Sequence, residues 1–266
     1  MKCADQDAPR PGREVGGLET NSTTEALIPQ QAQECKTLLD EAVFKLFVHP
    51  GEIVEVRALG VDGKPKLAMS GYFDDHALFS RAVQDLDRRP PAGVYFTLQV
   101  IDPRLIARAF NRIKASDVTT SDKDVIAYRW LPIDLDPVRP AGIPSSDSEL
   151  KAALELREPV TAWVMQEIGS PGPIKAMSGN GGHLLFHLPD WPATNENRDI
   201  IKGILASIHG RFSTETVKID TTVFNPARIW KLYGTTAKKG DQVPANQYRE
   251  ARPHRMAYID DLGGAA

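Results

Sequence analysis

The stretch "WLPIDLDPVRP", residues 130–140, decides how the rest of the chain can be arranged. An apolar run ends there in two aspartates, Asp134 and Asp136, and prolines follow directly. Because side chains alternate between the two faces of a strand, both carboxylates point the same way. The opposite face is apolar and consists of Leu131, Ile133 and Leu135. The pattern predicts a strand over 125–136 with a buried face opposite a pair of carboxylates.

The two aspartates are a candidate metal site. Like charges held this close resist ionising together unless something positive lies between them. Mg²⁺ is typically held by one or two carboxylates together with substrate phosphate oxygens. A solvated strand end with two surface aspartates would give the same pattern, and the pair by itself does not choose between these interpretations.

Composition describes an ordinary globular protein. The chain has 266 residues, 41% hydrophobic and 25% charged, with a formal net charge of -3. Near-neutral charge gives no support for a nucleic-acid partner, which would have to be argued from local patches. Cys3 and Cys35 supply neither a disulfide framework nor a zinc site. No apolar run reaches the roughly 20 residues that span a bilayer, and no signal peptide is evident, so we expect a cytoplasmic protein without membrane contact.

Helical and strand patterns alternate along the chain and predict an α+β fold. Helices are predicted over 26–47, 74–87 (capped by Asp74 or Asp75), 103–111, 146–168 (a Ser146/Glu149 capping box, with a restart or kink at Pro159) and 198–212. Further strands are predicted over 53–61 and 66–73 (a hairpin around Asp62-Gly63), 93–101, 173–179 and 183–189 (a second hairpin), 216–220 and 228–234, with a loop over 114–124.

A glycine-rich stretch, "MSGNGGHLLFHL" (177–188), is the second candidate feature. Three glycines and an asparagine lie between Ser178 and His183. Glycine lets backbone approach a ligand closely and lets N–H groups converge on an anion. The stretch is therefore either a phosphate-binding turn followed by a ligand-contacting histidine, or a hairpin turn with a structural histidine.

The third feature is "VKIDTTVFNPARIWKLYGTTAKKGD" (217–241), which places Asp220 at another strand end. The strongly basic part of the chain follows it, with Arg228, Lys231, Lys238, Lys239, Arg249, Arg252, His254 and Arg255. A solvated surface is the usual explanation of such a run. Metal-binding acids beside phosphate-binding cations are, however, what phosphoryl transfer requires.

Taken in order, "IDLDP", "SGNGGH" and "VKIDTTVFNPARIWKLYGT" resemble the motifs of the archaeo-eukaryotic primase superfamily. The resemblance is to the primase-polymerase domains of bacterial plasmids, phages and other mobile elements, including CRISPR-associated members. The acidic D-x-D falls on Asp134 and Asp136, the small-residue-x-His motif ends at His183, and the last aspartate is Asp220. The resemblance covers about residues 35–258.

This resemblance implies an α+β catalytic core with its active site between two units. An N-terminal α/β unit would span about 23–122 and an RRM-like unit about 123–258. Residues 1–22 would form a disordered leader and 259–266 a tail.

The implied activity is a DNA-directed primase-polymerase, a template-dependent nucleotidyltransferase that makes or extends RNA or DNA primers. Two divalent ions, Mg²⁺ or Mn²⁺, would be held by Asp134, Asp136 and Asp220. The implied nucleotide-binding residues are Ser178, Gly181, Gly182, His183, Arg228, Lys231 and one of Lys238 or Lys239.

The implied partners are a single-stranded DNA template, a primer strand and nucleoside triphosphates. A helicase or CRISPR adaptation proteins would join them in replicating a mobile element or in a CRISPR-linked or repair role. Two other functions stay open at this point: a metal-dependent nuclease, and a catalytically inactive nucleic-acid-binding replication module.

Overall fold

Two large antiparallel sheets and four helices make up the part of the chain that the computed structural model describes, residues 35–61, 68–89, 91–247 and 249–265. The helices are α1 (Glu41–Phe47), α2 (His76–Arg88), α3 (Asp147–Ile168) and α4 (Asn195–Phe212). The strands are β1 (Val54–Leu59), β2 (Ala68–Phe73), β3 (Gly93–Thr97), β4 (Val100–Ile101), β5 (Lys114–Ala115), β6 (Val125–Pro137), β7 (Ile174–Met177), β8 (Gly182–Pro192), β9 (Val217–Ile219), β10 (Ile229–Lys231), β11 (Thr236–Ala237), β12 (Arg255–Met256) and β13 (Tyr258–Asp261). The protein is therefore an α+β structure, as predicted.

The first sheet has the order β10-β3-β1-β2-β5. The predicted first hairpin is confirmed in its strands, since β1 and β2 pair antiparallel from Val54↔Phe73 to Leu59↔Ala68. Its Asp62-Gly63 turn lies outside the described residues.

The second sheet has the order β13-β7-β8-β6-β4, and β9 also pairs with β6. The predicted strand over 125–136 is confirmed as β6, which has neighbours along both edges. The second hairpin is confirmed as β7 and β8, which pair from Ile174↔Leu185 to Met177↔Gly182.

Each sheet contains strands from both halves of the sequence. The single strand predicted over 93–101 is wrong: the chain leaves the first sheet after Thr97 and enters the second at Val100. Gln99 stabilises this crossing, because its Oε1 accepts from Arg129 N at 2.8 Å and its Nε2 donates to Trp130 O at 2.8 Å. Residues Glu34–Ala266 form one compact unit, and the predicted division into an α/β and an RRM-like part stays a prediction.

Capping residues set the helix ends. The Ser146/Glu149 capping box is confirmed at the start of α3, which runs through Pro159 without a break. Asp75 caps α2 as predicted. The helix predicted over 26–47 is wrong between 35 and 40, because Asp40 accepts from Ala42 N and starts α1 there; its residues 26–34 lie outside the described part, as does the predicted leader.

Three other segments depart from the prediction. The helix expected over 103–111 is a 3-10 turn at Pro103–Arg108, and the loop over 114–124 contains β5 and a 3-10 turn at Asp122–Asp124. Helix α4 begins at Asn195, because Thr194 caps it. None of the helices in the described part of the chain has the length and apolar character needed to cross a bilayer.

The two faces of β6 are covered differently. Gly182 of β8 pairs with Leu135, so the two residues share a face of the sheet. A Cβ added at Gly182 would lie 3.1 Å from the carbonyl oxygen of Ala153 in α3. The face formed by Leu131, Ile133 and Leu135 therefore packs against α3. On the other face the Trp130 ring packs against Phe47 of α1, at 5.2 Å between centroids. Both faces are therefore buried, and Asp134 lies on the face away from α3.

A buried arginine connects the segment that precedes β1 of the first sheet to the second sheet. Arg129 of β6 has 1% of its side chain exposed and makes two hydrogen bonds of 2.7 Å to Glu52, which precedes β1. Its Nε and Nη2 also donate to Asp190 of β8, at 2.9 and 2.7 Å. The guanidinium is thus paired on both sides, which is what a buried charge needs.

We expect the double variant Glu52→Gln/Asp190→Asn to lose about 3–5 kcal/mol of unfolding free energy, because it leaves a buried cation unpaired. Arg129→Met should lose less, because it removes the buried charge and leaves carboxylates that are partly exposed. Urea denaturation of the three proteins measures the difference. A double variant as stable as Arg129→Met would contradict this account.

Candidate active site

Three residues that are far apart in the sequence lie side by side on neighbouring strands. Asp134 of β6 pairs with His183 of β8 along one edge. Along the other edge, the backbone N–H of Asp220, directly after β9, donates to Asp134 O at 2.9 Å. Directly opposed residues of antiparallel strands share a face, so the three side chains project from the same side of the sheet.

The Asp134 carboxylate is the most constrained group of this cluster. Only 19% of the side chain is exposed, and Oδ1 is buried without a hydrogen-bond partner. Burial raises the pKa of Asp134 well above its usual value, and the charges of Asp136 and Asp220 raise it further. The positive charges of Arg228 and Lys239 oppose that shift. These two cations do not outweigh burial and the neighbouring carboxylates, so the charge of an ionised Asp134 is not fully compensated.

The two outer carboxylates have local partners. Asp136 lies 3.8 Å from Arg139 and is 48% exposed. Asp220 Oδ1 accepts from both N and Oγ1 of Thr222, at 2.7 Å each, and its Oδ2 lies 3.5 Å from Arg228. These contacts fix Asp220 in a turn directly at the end of β9.

The donor set fits a hard divalent cation in its chemistry. All three acids offer oxygen ligands, and a cation would supply the charge that the buried Asp134 Oδ1 lacks. Within the described ranges, no three His, Cys, Asp or Glu side chains already converge to hold an ion. Binding would therefore require the side chains of Asp136 and Asp220 to turn toward Asp134, and Asp220 would have to release part of its bonding to Thr222.

His183 is a buried neutral imidazole. Its Nε2 lies 3.6 Å from Asp134 Oδ1, and its Nδ1 lies 2.9 Å from the hydroxyl of Tyr233. Its ring packs on the indole of Trp230 with centroids 4.1 Å apart. Burial lowers the pKa of His183 to about 3, so at neutral pH the ring carries one proton and no charge.

The glycine turn is closed on itself. The Ser178 hydroxyl accepts from Gly181 N at 2.9 Å, and Ser178 N donates to Gly181 O at 3.0 Å. A Cβ at Gly181 would collide with the carbonyl oxygen of Leu135 and lie 3.3 Å from Asp136 Oδ1. The glycine is thus required for the close approach of this turn to the D-x-D motif. The N–H of Gly181, expected to face a phosphate, is already bonded within the turn.

The predicted phosphate-binding cations separate into two groups. Arg228 is exposed beside Asp220, and Lys239 is the nearby lysine whose charge acts on Asp134. Lys231 is buried, and its ammonium donates to Val94 O, Thr235 Oγ1 and Thr236 O, which uses all three of its N–H groups. Lys238 donates to Asp87 O at 2.9 Å. The ammonium groups of Lys231 and Lys238 are therefore hydrogen-bonded to groups of the protein itself.

Two residues near the cluster were not singled out from the sequence as site residues. Tyr95 of β3 lies close enough for the charges of Arg228 and Asp134 to act on its phenol, while burial raises its pKa. Thr222 closes the turn that holds Asp220. An Asp-x-Thr turn is a readable local signal, whereas nothing in the spacing of Tyr95 places it here.

No protein-family model matches the chain, and no curated protein matches it either. Among solved structures, the chain is similar to the polymerase domain from Mycobacterium tuberculosis Ligase D, a structure in complex with DNA. The two chains share 14% sequence identity with a TM-score of 0.41, over 74% of this chain and 72% of the other. This is a distant likeness and gives no information about the chemistry of the site.

We expect Asp134→Asn to increase the stability of the protein without added metal, because it removes a buried charge from between two like charges. A raised folded-state pKa means that the folded protein holds the Asp134 proton more tightly than the unfolded chain does. Wild-type stability should therefore fall as pH rises from about 4 through that raised pKa. The gain from Asp134→Asn should be small near pH 4 and largest above the raised pKa.

Thermal denaturation between pH 4 and pH 8 measures this difference, with Asp85→Asn on the exposed face of α2 as the matched control. A gain that shrinks as pH rises would contradict the burial of an uncompensated charge at Asp134.

We expect Gly181→Ala to lower the unfolding free energy by about 1–3 kcal/mol, because the added methyl group meets the Leu135 carbonyl oxygen. Gly203→Ala, which has open space around it in α4, should instead stabilise by up to about 1 kcal/mol. Urea denaturation of both variants measures the contrast. Equal effects would mean that the close approach at Gly181 is unimportant.

Proposed function

We propose that the protein is a template-dependent nucleotidyltransferase, a primase-polymerase that makes or extends primers from nucleoside triphosphates. One observation supports this most directly: Asp134 on β6, His183 on β8 and Asp220 at the end of β9 lie side by side, and Asp134 Oδ1 is buried without a hydrogen-bond partner. A buried acid held between two like charges has no structural use, but it suits a site that binds a cation.

Asp134, Asp136 and Asp220 would hold the divalent ions, Mg²⁺ or Mn²⁺. When bound, these ions would help to deprotonate the attacking hydroxyl and neutralise charge on the triphosphate. Asp134 is fixed by the sheet on both sides, so it provides the rigid ligand of the set. Asp136 is the most exposed of the three and provides the adjustable ligand, whereas Asp220 would have to give up part of its bonding to Thr222.

The triphosphate would lie along the cationic side of the cluster. Arg228 lies 3.5 Å from Asp220, and the charges of Arg228 and Lys239 both lower the pKa of Asp134, so these cations would share an anion with the ions bound there. The neutral imidazole of His183 would add a hydrogen bond without adding charge. In this proposal Arg228, Lys239 and His183 bind the triphosphate in place of Lys231 and Lys238. The ammonium groups of those two lysines are hydrogen-bonded to other groups of the protein.

The proposal extends to a single-stranded DNA template and a primer strand as partners. Helicase or CRISPR partners, and a role in replicating a mobile element, stay predictions of the sequence resemblance. A nuclease would use the same acids, but it has no need of Arg228, Lys239 and His183 to bind a leaving pyrophosphate.

The test is a gel assay with single-stranded DNA template, labelled ribo- or deoxyribonucleotides, and Mg²⁺ or Mn²⁺, with and without a primer. We expect incorporation by the wild-type protein and a loss of about 100-fold or more in Asp134→Asn, because that variant cannot complete the metal site. Asp85→Asn should behave as the wild type. Degradation of the labelled strand without incorporation would support the nuclease instead.

A second measurement distinguishes a working metal site from a catalytically inactive site that binds no metal. Mg²⁺ or Mn²⁺ at one hundred times the dissociation constant should raise the unfolding free energy of the wild-type protein by about 2.7 kcal/mol, seen as a higher melting temperature, and should leave Asp134→Asn unchanged. No metal-dependent stabilisation, together with no incorporation, would favour the inactive binding module.

A further inference from the structure

A chain of hydrogen bonds lies behind His183, on the side away from Asp134. The indole Nε1 of Trp230 lies 2.8 Å from the hydroxyl of Tyr233, and that hydroxyl lies 2.9 Å from Nδ1 of His183. All three residues are buried, with 3% or less of each exposed. The chain is therefore shielded from bulk solvent.

The number of protons available decides the direction of these hydrogen bonds. Indole N–H is only a donor, so the Tyr233 oxygen accepts from Trp230. The hydroxyl of Tyr233 has one proton of its own, and His183 Nδ1 is the acceptor within reach. Nδ1 then accepts, and the single proton of the neutral imidazole lies on Nε2.

The opposite tautomer is disfavoured at both nitrogens. A proton on Nδ1 would leave the Tyr233 hydroxyl proton without a partner inside the core. With Asp134 ionised, as a metal ligand would be, it would also turn the lone pair of Nε2 toward Oδ1, 3.6 Å away, where two acceptors would face each other. The contacts on both sides of the ring therefore select the same tautomer.

We infer that Trp230 and Tyr233 are positioning residues that hold His183 as an Nε2–H donor facing the carboxylate cluster. This inference rests on the proposed function for its consequence: His183 would donate a hydrogen bond to a non-bridging phosphate oxygen of the bound nucleotide, and it would act neither as a base nor as a cation. Because Trp230 belongs to β10, the donor is oriented by a strand of the other sheet.

The orientation of the ring is fixed as well as its proton. The imidazole packs against the Trp230 ring at 4.1 Å between centroids and meets the Tyr233 ring nearly edge-on, at 70°. The Trp230 indole thus both supports the ring and directs the Tyr233 hydroxyl. A donor that is aimed before the ligand arrives loses little entropy on binding.

The direct test is the tautomer of His183 in the wild-type protein without nucleotide, read from the ¹⁵N shifts and two-bond ¹H–¹⁵N couplings of its ring. We expect a pyrrole-like Nε2 and a pyridine-like Nδ1. A protonated Nδ1, or an equal mixture of tautomers, would overturn the inference. The measurement needs no variant and no activity, so it is independent of whether the protein is a polymerase.

Tyr233→Phe removes the hydroxyl and keeps the ring. We expect a mixture of His183 tautomers in this variant, and a rise of about fivefold to tenfold in the KM for nucleotide with a smaller change in kcat, as for loss of one oriented hydrogen bond. Tyr128→Phe is the matched control, since it removes another buried tyrosine hydroxyl, which donates to Phe224 O. It should leave both the tautomer and the KM unchanged.

The outcomes separate the two proposals. Incorporation by the wild type with the wrong His183 tautomer would overturn the positioning role alone. The expected tautomer in a protein that shows no incorporation would keep the hydrogen-bond chain and remove the polymerase. An unchanged tautomer in Tyr233→Phe would show that Tyr233 does not set it.

Discussion

The buried Asp134 carboxylate is the constraint on which the arrangement of this protein depends. It lies on β6, an interior strand of the second sheet, and neighbouring strands on both edges fix its backbone. Its Oδ1 has no partner, while two more carboxylates raise its pKa. Such a group lowers the stability of the empty protein, so the surrounding contacts must hold it in place. Binding of a cation would remove that cost.

Those surrounding contacts cross between the sheets. Arg129 bridges carboxylates before β1 and on β8, Gln99 stabilises the crossing of the chain into the second sheet, and Trp230 of the first sheet supports His183 of the second. One of these contacts, that of Trp230 with His183, also positions a residue of the candidate site. A change in the packing of the two sheets would move Trp230 relative to His183 and so alter the orientation of the imidazole ring.

Local features of the fold could be predicted from the sequence because they depend on near neighbours. The strand at 125–136, both strand pairs and the capping box at Ser146 follow from alternation and from short-range hydrogen bonds. The helix expected from residue 26 fails over 35–40, where the Asp40 cap prevails over apolar periodicity. The strand over 93–101 fails because its apolar pattern continues through the point where the chain changes sheets.

The sequence alone determined which residues could form the site: the spacing of the D-x-D motif, the glycine turn and the last aspartate selected Asp134, Asp136, His183 and Asp220. Only the tertiary structure decided how they are used. Lys231 and Lys239 are equally basic in sequence, yet one saturates its ammonium inside the fold and the other acts on Asp134. The proton position on His183 likewise depends on Tyr233, 50 residues away. Charge and hydrogen-bond partners are set by what packing brings within a few ångströms, and no local pattern contains that information.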